Sequence, residues 1–430
     1  MNKRHVRFVG ILLIVLILSC GCIRRPTSVP TPTATPTATP VPTPTPPAPV
    51  EGGLSHVRVA TLYERVTDGT LIGRDVNEVI TLFKDTKTDF IFRGWWIWQP
   101  CANRCSEVPP GITYAYDCEL MGYSYEHLQD ALSKIKREMP DVIFCGAIPA
   151  QRVNYIEINP MSGKIYSQSE VERMAIDPAH WGITSVSKEE AQKYFQERGT
   201  GAGGYYPDIT NPEYQELLLS WAQKQIDCGA DAIWIDGLFG QARMFETVTK
   251  DQNHPAVKAS FEAASKIIDE IHNYGNSKYG KYIYVGTWGT YFPTLPYTMP
   301  NLDFVTLSPS INEISQKKLD EREWETTVGL IREKLGEKRV FVFIDWAGDE
   351  SPMVTFSQQL SPAEQEEFLK RIDSFCRSNG LVFVYPLHGG FMGSKGTRLS
   401  GGKFRIYDSL AQEFQTYETI KELAQNKSTK

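Results

Sequence analysis

The sequence predicts one (β/α)8 barrel, and three observations carry that expectation. Eight short runs rich in Val, Ile and Phe recur along the chain, longer amphipathic stretches separate most of them, and helix punctuation stands at the joints. The runs are Val57 to Tyr63, Asp89 to Trp95, Val142 to Pro149, Ala230 to Asp236, Tyr282 to Trp288, Asp303 to Pro309, Arg339 to Trp346 and Leu381 to His388. Nearly all are apolar throughout, as parallel strands covered on both faces require. An open doubly wound sheet is the competing architecture, but it usually spreads over fewer strands or two domains.

The intervening stretches read as helices in turn: RDVNEVITLFKDT, SYEHLQDALSKIKREM, NPEYQELLLSWAQKQIDCG, HPAVKASFEAASKIIDEIHNYG, a segment from Glu321 to Glu337, SPAEQEEFLKRIDSFCRSNG, and a closing helix near Ser409 to Ala424. Pro212, Pro255 and Pro362 stand just inside starts, where the missing N–H costs nothing. Gly229 and Gly380 stand just past ends, where positive φ is needed.

In such a barrel chemistry gathers where the strands end, on the loops leading into the helices. The fourth run, ADAIWIDG, ends on a carboxylate. Alternation puts Asp236 and Trp234 on one face and Ile233 and Ile235 on the other, so Asp236 belongs at the barrel mouth. Arg93 with Trp95, Trp96 and Trp98, then Trp288, then Asp345 with Trp346, then Tyr385 and His388 stand at the ends of other runs. Trp95 and Trp96 are adjacent, so at most one points into a cleft. Two insertions, Gln99 to Gly122 and Gln151 to Asn211, lie on the same side as potential cleft walls. Acids and aromatic rings at one mouth suit a carbohydrate, whose apolar faces stack on Trp while its hydroxyls take charged partners.

The front of the 430-residue chain has a different character. Lys3, Arg4 and Arg7 precede an apolar run from Phe8 to Leu18, too short to span a bilayer but right for a signal peptide. The following LSCGC resembles the lipobox of prokaryotic lipoproteins, which implies that Cys22 is lipidated after cleavage; an uncleaved signal anchor is the alternative. Pro26 to Pro49 is a Pro/Thr repeat suited to an extended, semi-rigid stalk. The organisation read here is a signal peptide over residues 1–21, a lipidated Cys22 and linker over 22–54, and the barrel over 55–430, held outside the cytoplasm on a prokaryotic membrane.

Composition is globular, 41% hydrophobic and 22% charged. The formal charge is −6, and cleavage removes three cations and no acid, leaving −9. That excludes a basic nucleic-acid footprint. Outside the cytoplasm at least one disulfide is expected among Cys101, Cys105 and Cys118, with Cys145 as partner of the cysteine left over. The trio lacks the paired C-x-x-C or His partners of a zinc site, so no metal is expected. GTGAGG, from Gly199 to Gly204, follows a helical stretch and opens no helix, which removes a dinucleotide reading. No G-x-S-x-G or H-E-x-x-H motif supports esterase or zincin chemistry.

DITNPEYQELLLSWAQKQIDCGADAIWIDG resembles glycoside-hydrolase-like (β/α)8 barrels that carry a D-x-x-N-P turn and helix followed by D-G-[IV]-x-[IL]-D on strand four. The resemblance implies that Asp236 is the catalytic nucleophile or an essential substrate ligand, with Asp208, Asn211 and Pro212 in the turn. Ala232 departs from the pattern, and GTWGTYF on strand five has no acid where amylase-like members place their proton donor. A second carboxylate is then expected elsewhere: Asp345 first, with Glu313, Asp208 and Glu350 after it. The resulting expectation is a monomeric glycosidase without cofactor, in which Asp236 and Asp345 are catalytic, Arg93, His388 and Asp208 contact sugar hydroxyls, and Trp95 and Trp288 are stacking platforms. The alternatives are a non-catalytic carbohydrate-binding or cell-envelope lipoprotein, and an Asp236 that merely pairs with Arg93.

Overall fold

The computed structural model describes residues 53–67, 73–110, 112, 118–195, 203–394 and 405–428. The signal peptide, Cys22 and the Pro/Thr stalk lie outside the described residues, as does most of the run from Gly199 to Gly204.

Eight parallel strands form the barrel: β1 (Ala60–Tyr63), β2 (Phe90–Trp96), β3 (Ile143–Pro149), β4 (Ala232–Asp236), β5 (Tyr284–Trp288), β6 (Phe304–Leu307), β7 (Arg339–Val342) and β8 (Val382–Phe391). Each is bonded to the next, and β8 pairs with β1 to close the ring. A short β9 (Ile406–Asp408) pairs antiparallel with β8. Around the ring run α1 (Val76–Asp85), α2 (Tyr125–Glu138), α3 (Pro212–Asp227), α4 (Pro255–Tyr279), α5 (Glu321–Leu335), α6 (Pro362–Ser378) and α7 (Tyr417–Ser428). The crossover from β5 to β6 is a turn-rich loop over residues 289–303.

Local chemistry explains the helix ends. Asn211 caps α3 by accepting from the Glu213 and Tyr214 amides, with Pro212 in the first turn. Asp75 and Glu78 form a reciprocal capping box on α1, and Ser361 and Glu364 form another on α6. Gly229 and Gly380, at φ +111° and +68°, take the backbone past α3 and α6.

Alternation along the strands divides the core in two. Ile233 and Ile235 join the layer between sheet and helices, whereas Trp234 joins the barrel interior with Phe90, Phe92, Phe304, Phe341 and Phe343. Inside, Phe90 stacks on Phe341 at 4.7 Å and Phe92 meets Phe343 at 5.0 Å. Trp96, Trp288 and Trp346 pack partly buried against this interior layer.

Strand β2 breaks the alternation. Ile91 pairs with Phe144 but Trp95 pairs with Gly146, so β2 carries two extra residues between those pairings. Within that bulge Arg93 adopts φ +54°, a left-handed conformation that L side chains take at a cost of about 1–2 kcal/mol.

Of the cysteine trio, Cys105 and Cys118 are disulfide-bonded. Cys101 is a buried thiol whose Sγ lies 3.6 Å from the Tyr123 carbonyl. Cys145 is not its partner, contrary to the expectation from sequence: it lies free on the inner face of β3, inside the barrel.

Candidate active site

The mouth of the barrel brings Asp236 and Asp345 together with Arg93. Asp236 is the last residue of β4 and is half-buried. Its Oδ1 accepts from Trp288 Nε1 at 2.7 Å and its Oδ2 from Gln151 Nε2 at 3.0 Å. Arg93 acts on it through space, without a hydrogen bond. Burial raises the Asp236 carboxyl above its ordinary value, against the opposing pull of Arg93, Trp288 and Gln151.

Gly237 makes the Gln151 contact possible. At φ +66°, a Cβ there would fall 2.3 Å from Gln151 Oε1 and displace the amide that orients Asp236. A glycine after the carboxylate therefore serves both the turn and the approach of its partner.

Asp345 follows β7 and is likewise half-buried; its amide donates to Ser308 Oγ at 3.1 Å. Burial, and next the negative charge of Asp236, push its carboxyl up to about 6 while Arg93 pulls it down. Two carboxyls that feel one another titrate as a pair.

Arg93 is buried, not a ligand arm reaching into solvent. Its guanidinium carbon lies 3.9 Å from the Trp346 ring centroid, 4.2 Å from Trp96 and 5.0 Å from Trp234. Among the described residues its Nε has no hydrogen-bond partner. Burial lowers its pKa, and the charges of Glu64, Asp236 and Asp345 oppose that in decreasing order. Arg93 is the positive centre around which three carboxylates are arranged.

Other sequence-predicted residues lie elsewhere. Trp95 is fully buried on the helix side of β2, stacked on Tyr123 at 5.2 Å, so Trp96 takes the place assigned to it at the mouth. The two extra residues in β2 are the reason: they turn Arg93 inward without carrying Trp95 with it. His388 is also buried, its ring 4.8 Å from Tyr63, where a register shift beside β1 turns it into the wall. Asp208 holds its own turn, accepting from the Thr210 amide and hydroxyl and from Gln241 Nε2 at 2.7 Å, which occupies it structurally. Glu313 caps a helix in a reciprocal box with Ser310. Trp288 stands where expected, holding Asp236 with its indole N–H.

Sequence reasoning missed Glu64, Gln151 and the inward role of Trp96. Glu64 follows β1 directly, is buried, and accepts from the Gly390 amide at 3.1 Å. An acid immediately after the first strand, in ATLYER, was the available signal. Gln151 carried none, because its role depends on the close approach over Gly237.

The fold and this site define a (β/α)8 barrel with a charged, tryptophan-rich acid pair at the ends of its strands. No protein-family model matches the chain, and no curated protein matches it. Similar solved structures include the glycoside hydrolase domain of PelA from Pseudomonas aeruginosa, 11% identical over 76% of this chain and 94% of that one, with a TM-score of 0.36. Amy13B from Eubacterium rectale is 9% identical over 86% of this chain and 76% of its own, at 0.45. The GH31 dextranase FjDex31A of Flavobacterium johnsoniae is 11% identical over 86% of this chain and 39% of its own, at 0.44. At such identities and scores the reaction has to be argued from the site itself.

Proposed function

We propose that the protein is a glycoside hydrolase acting on a poly- or oligosaccharide, with Asp345 as general acid and Asp236 as nucleophile or general base. The observation that carries this reading is the electrostatic coupling of two mouth carboxyls in unequal surroundings, one of them at about 6. A carboxyl protonated near that pH can protonate a departing glycosidic oxygen, while its ionised neighbour attacks the anomeric carbon or activates water. Arg93, Trp288 and Gln151 oppose the rise that burial gives the Asp236 carboxyl and so favour its ionised form, and Trp288 and Gln151 hold its two oxygens in place. Trp96, Trp288 and Trp346 offer rings on which sugar faces stack.

The location belongs to the same proposal: Cys22, lipidated, anchors the chain to the outer face of a prokaryotic membrane, and the Pro/Thr stalk holds the barrel clear of it. That reading rests on the sequence of residues 1–54.

The test is a polysaccharide panel presented to the full chain, scored for new reducing ends and for binding. Hydrolysis by the wild type should fall by about 10³ in Asp236→Asn with the melting temperature unchanged or slightly raised. Binding without cleavage would select a carbohydrate-binding protein instead. A large fall in melting temperature with turnover intact would make Asp236 a structural residue.

A further inference from the structure

A second cluster lies in the loop between β2 and α2. The sulfur of Cys105, a carboxylate oxygen of Glu119 and a ring nitrogen of His127 all lie within 4.8 Å of one another. Cys118 Sγ is bonded to Cys105 Sγ but is not among the atoms that lie within 4.8 Å of one another, so it joins the cluster only by its link to Cys105. His127 sits in the first turn of α2, with Nδ1 held by the Ser124 hydroxyl at 2.6 Å and Nε2 facing Glu119 at 3.4 Å. A histidine partner for these cysteines is not visible in their spacing, because the fold supplies it from the next helix.

We propose that reduction of the Cys105–Cys118 disulfide opens a zinc site formed by Cys105, Cys118, Glu119 and His127. Two thiolates, an imidazole and a carboxylate match the borderline-soft, four-coordinate preference of Zn²⁺. In a tetrahedral site with bonds of 2.0–2.3 Å the donor atoms stand roughly 3.3–3.8 Å apart, so Cys105, Glu119 and His127 need to close up by about 1 Å, while the two sulfurs, covalently joined in the disulfide, separate to that spacing once the bond is reduced. Ser124 supplies the outer hydrogen bond that orients a ligating imidazole. The complex of Zn²⁺ with two thiolates and one carboxylate carries one net negative charge, which the N-terminus of α2 favours.

A dithiol reductant delivers two electrons and two protons, breaking the Sγ–Sγ bond and leaving as its own disulfide. Zn²⁺ then displaces the two thiol protons to solvent. One loop thereby has two alternative closures, covalent when oxidised and metal-bridged when reduced. This is independent of the glycosidase reading.

The experiment uses the full chain in detergent, oxidised or reduced, titrated with Zn²⁺ against a chromophoric chelator and with Co²⁺ as a spectroscopic probe. The reduced chain should take up one equivalent and show thiolate-to-cobalt charge transfer, and the oxidised chain should do neither. His127→Ala should weaken zinc binding at least tenfold, and so should Glu119→Gln, a change at an exposed side chain that leaves the fold unchanged by circular dichroism. Cys101→Ser should bind as the wild type does. Equal binding by the oxidised and reduced chains, wild-type affinity in His127→Ala, or a loss in Cys101→Ser as large as in Cys105→Ser would each overturn the proposal.

Discussion

Asp345 carries a thermodynamic signature that can be read without any substrate. Its carboxyl is raised from the usual value near 3.9 to about 6 by burial and by the charge of Asp236. Between those pH values the folded state binds more protons than the unfolded one, so stability falls as pH rises from about 4 through about 6. The loss is on the order of 1–3 kcal/mol. Asp345→Asn has no proton to lose there, so its melting temperature should change less over this window and exceed that of the wild type at pH 7. Paired thermal melts at pH 4.5 and 7 check this. Parallel behaviour of the two proteins would show that the carboxyl ionises as freely in the fold as outside it. Asp236 was legible in the sequence because an ionised residue closing an apolar run has only the barrel mouth to occupy. Its partner Gln151 was not, since a neutral amide in a long insertion announces nothing until Gly237 lets it approach.

At the scale of the element, β2 and β4 mark the limits of reading alternation. In β4 the pairing with β3 runs without a shift from Ala232 to Asp236, and the faces fall where the period of two places them. In β2 two extra residues intervene, which hydrophobic pattern does not encode; an even number leaves Trp95 on the face of Ile91 and Trp96 on that of Phe92, and only Arg93 is turned from the helix side to the interior, so Arg93 and Trp95 do not share the mouth as expected. The consequence is measurable. Trp95→Ala removes a fully buried side chain and should cost about 3–5 kcal/mol while leaving sugar affinity nearly unchanged. Trp96→Ala, at a partly exposed ring, should weaken sugar binding by about 1–2 kcal/mol at a smaller stability cost. Chemical denaturation and ligand titration on both variants separate the two effects. The reverse pattern would return Trp95 to the cleft. The helices were easier to read than this bulge, since Asn211, Ser361, Pro212 and Pro362 state their boundaries in residue chemistry.

For the whole molecule, eight apolar runs sufficed to specify a closed ring, because parallel strands of that number with helical crossovers have few other ways to bury both faces. The sequence left open which residues of different strands meet above the ring, a matter of register and local bulges. At the other end of the chain, Cys22→Ser, expressed in a host that processes lipoproteins, should leave the membrane fraction or accumulate unprocessed. Unchanged mass and membrane retention would remove the lipid anchor. The central claim, that Asp345 gives a proton to the leaving group while Asp236 acts on the sugar, is tested most directly by comparing leaving groups. Once a panel has identified the sugar, Asp345→Asn should lose about 10²–10⁴ in kcat/KM on the natural glycoside yet keep most of its first-step rate on an aryl glycoside whose phenolate departs unaided. Asp236→Asn should fail on both. Equal losses by Asp345→Asn on the two substrates, or full activity of Asp236→Asn on either, would contradict the assignment.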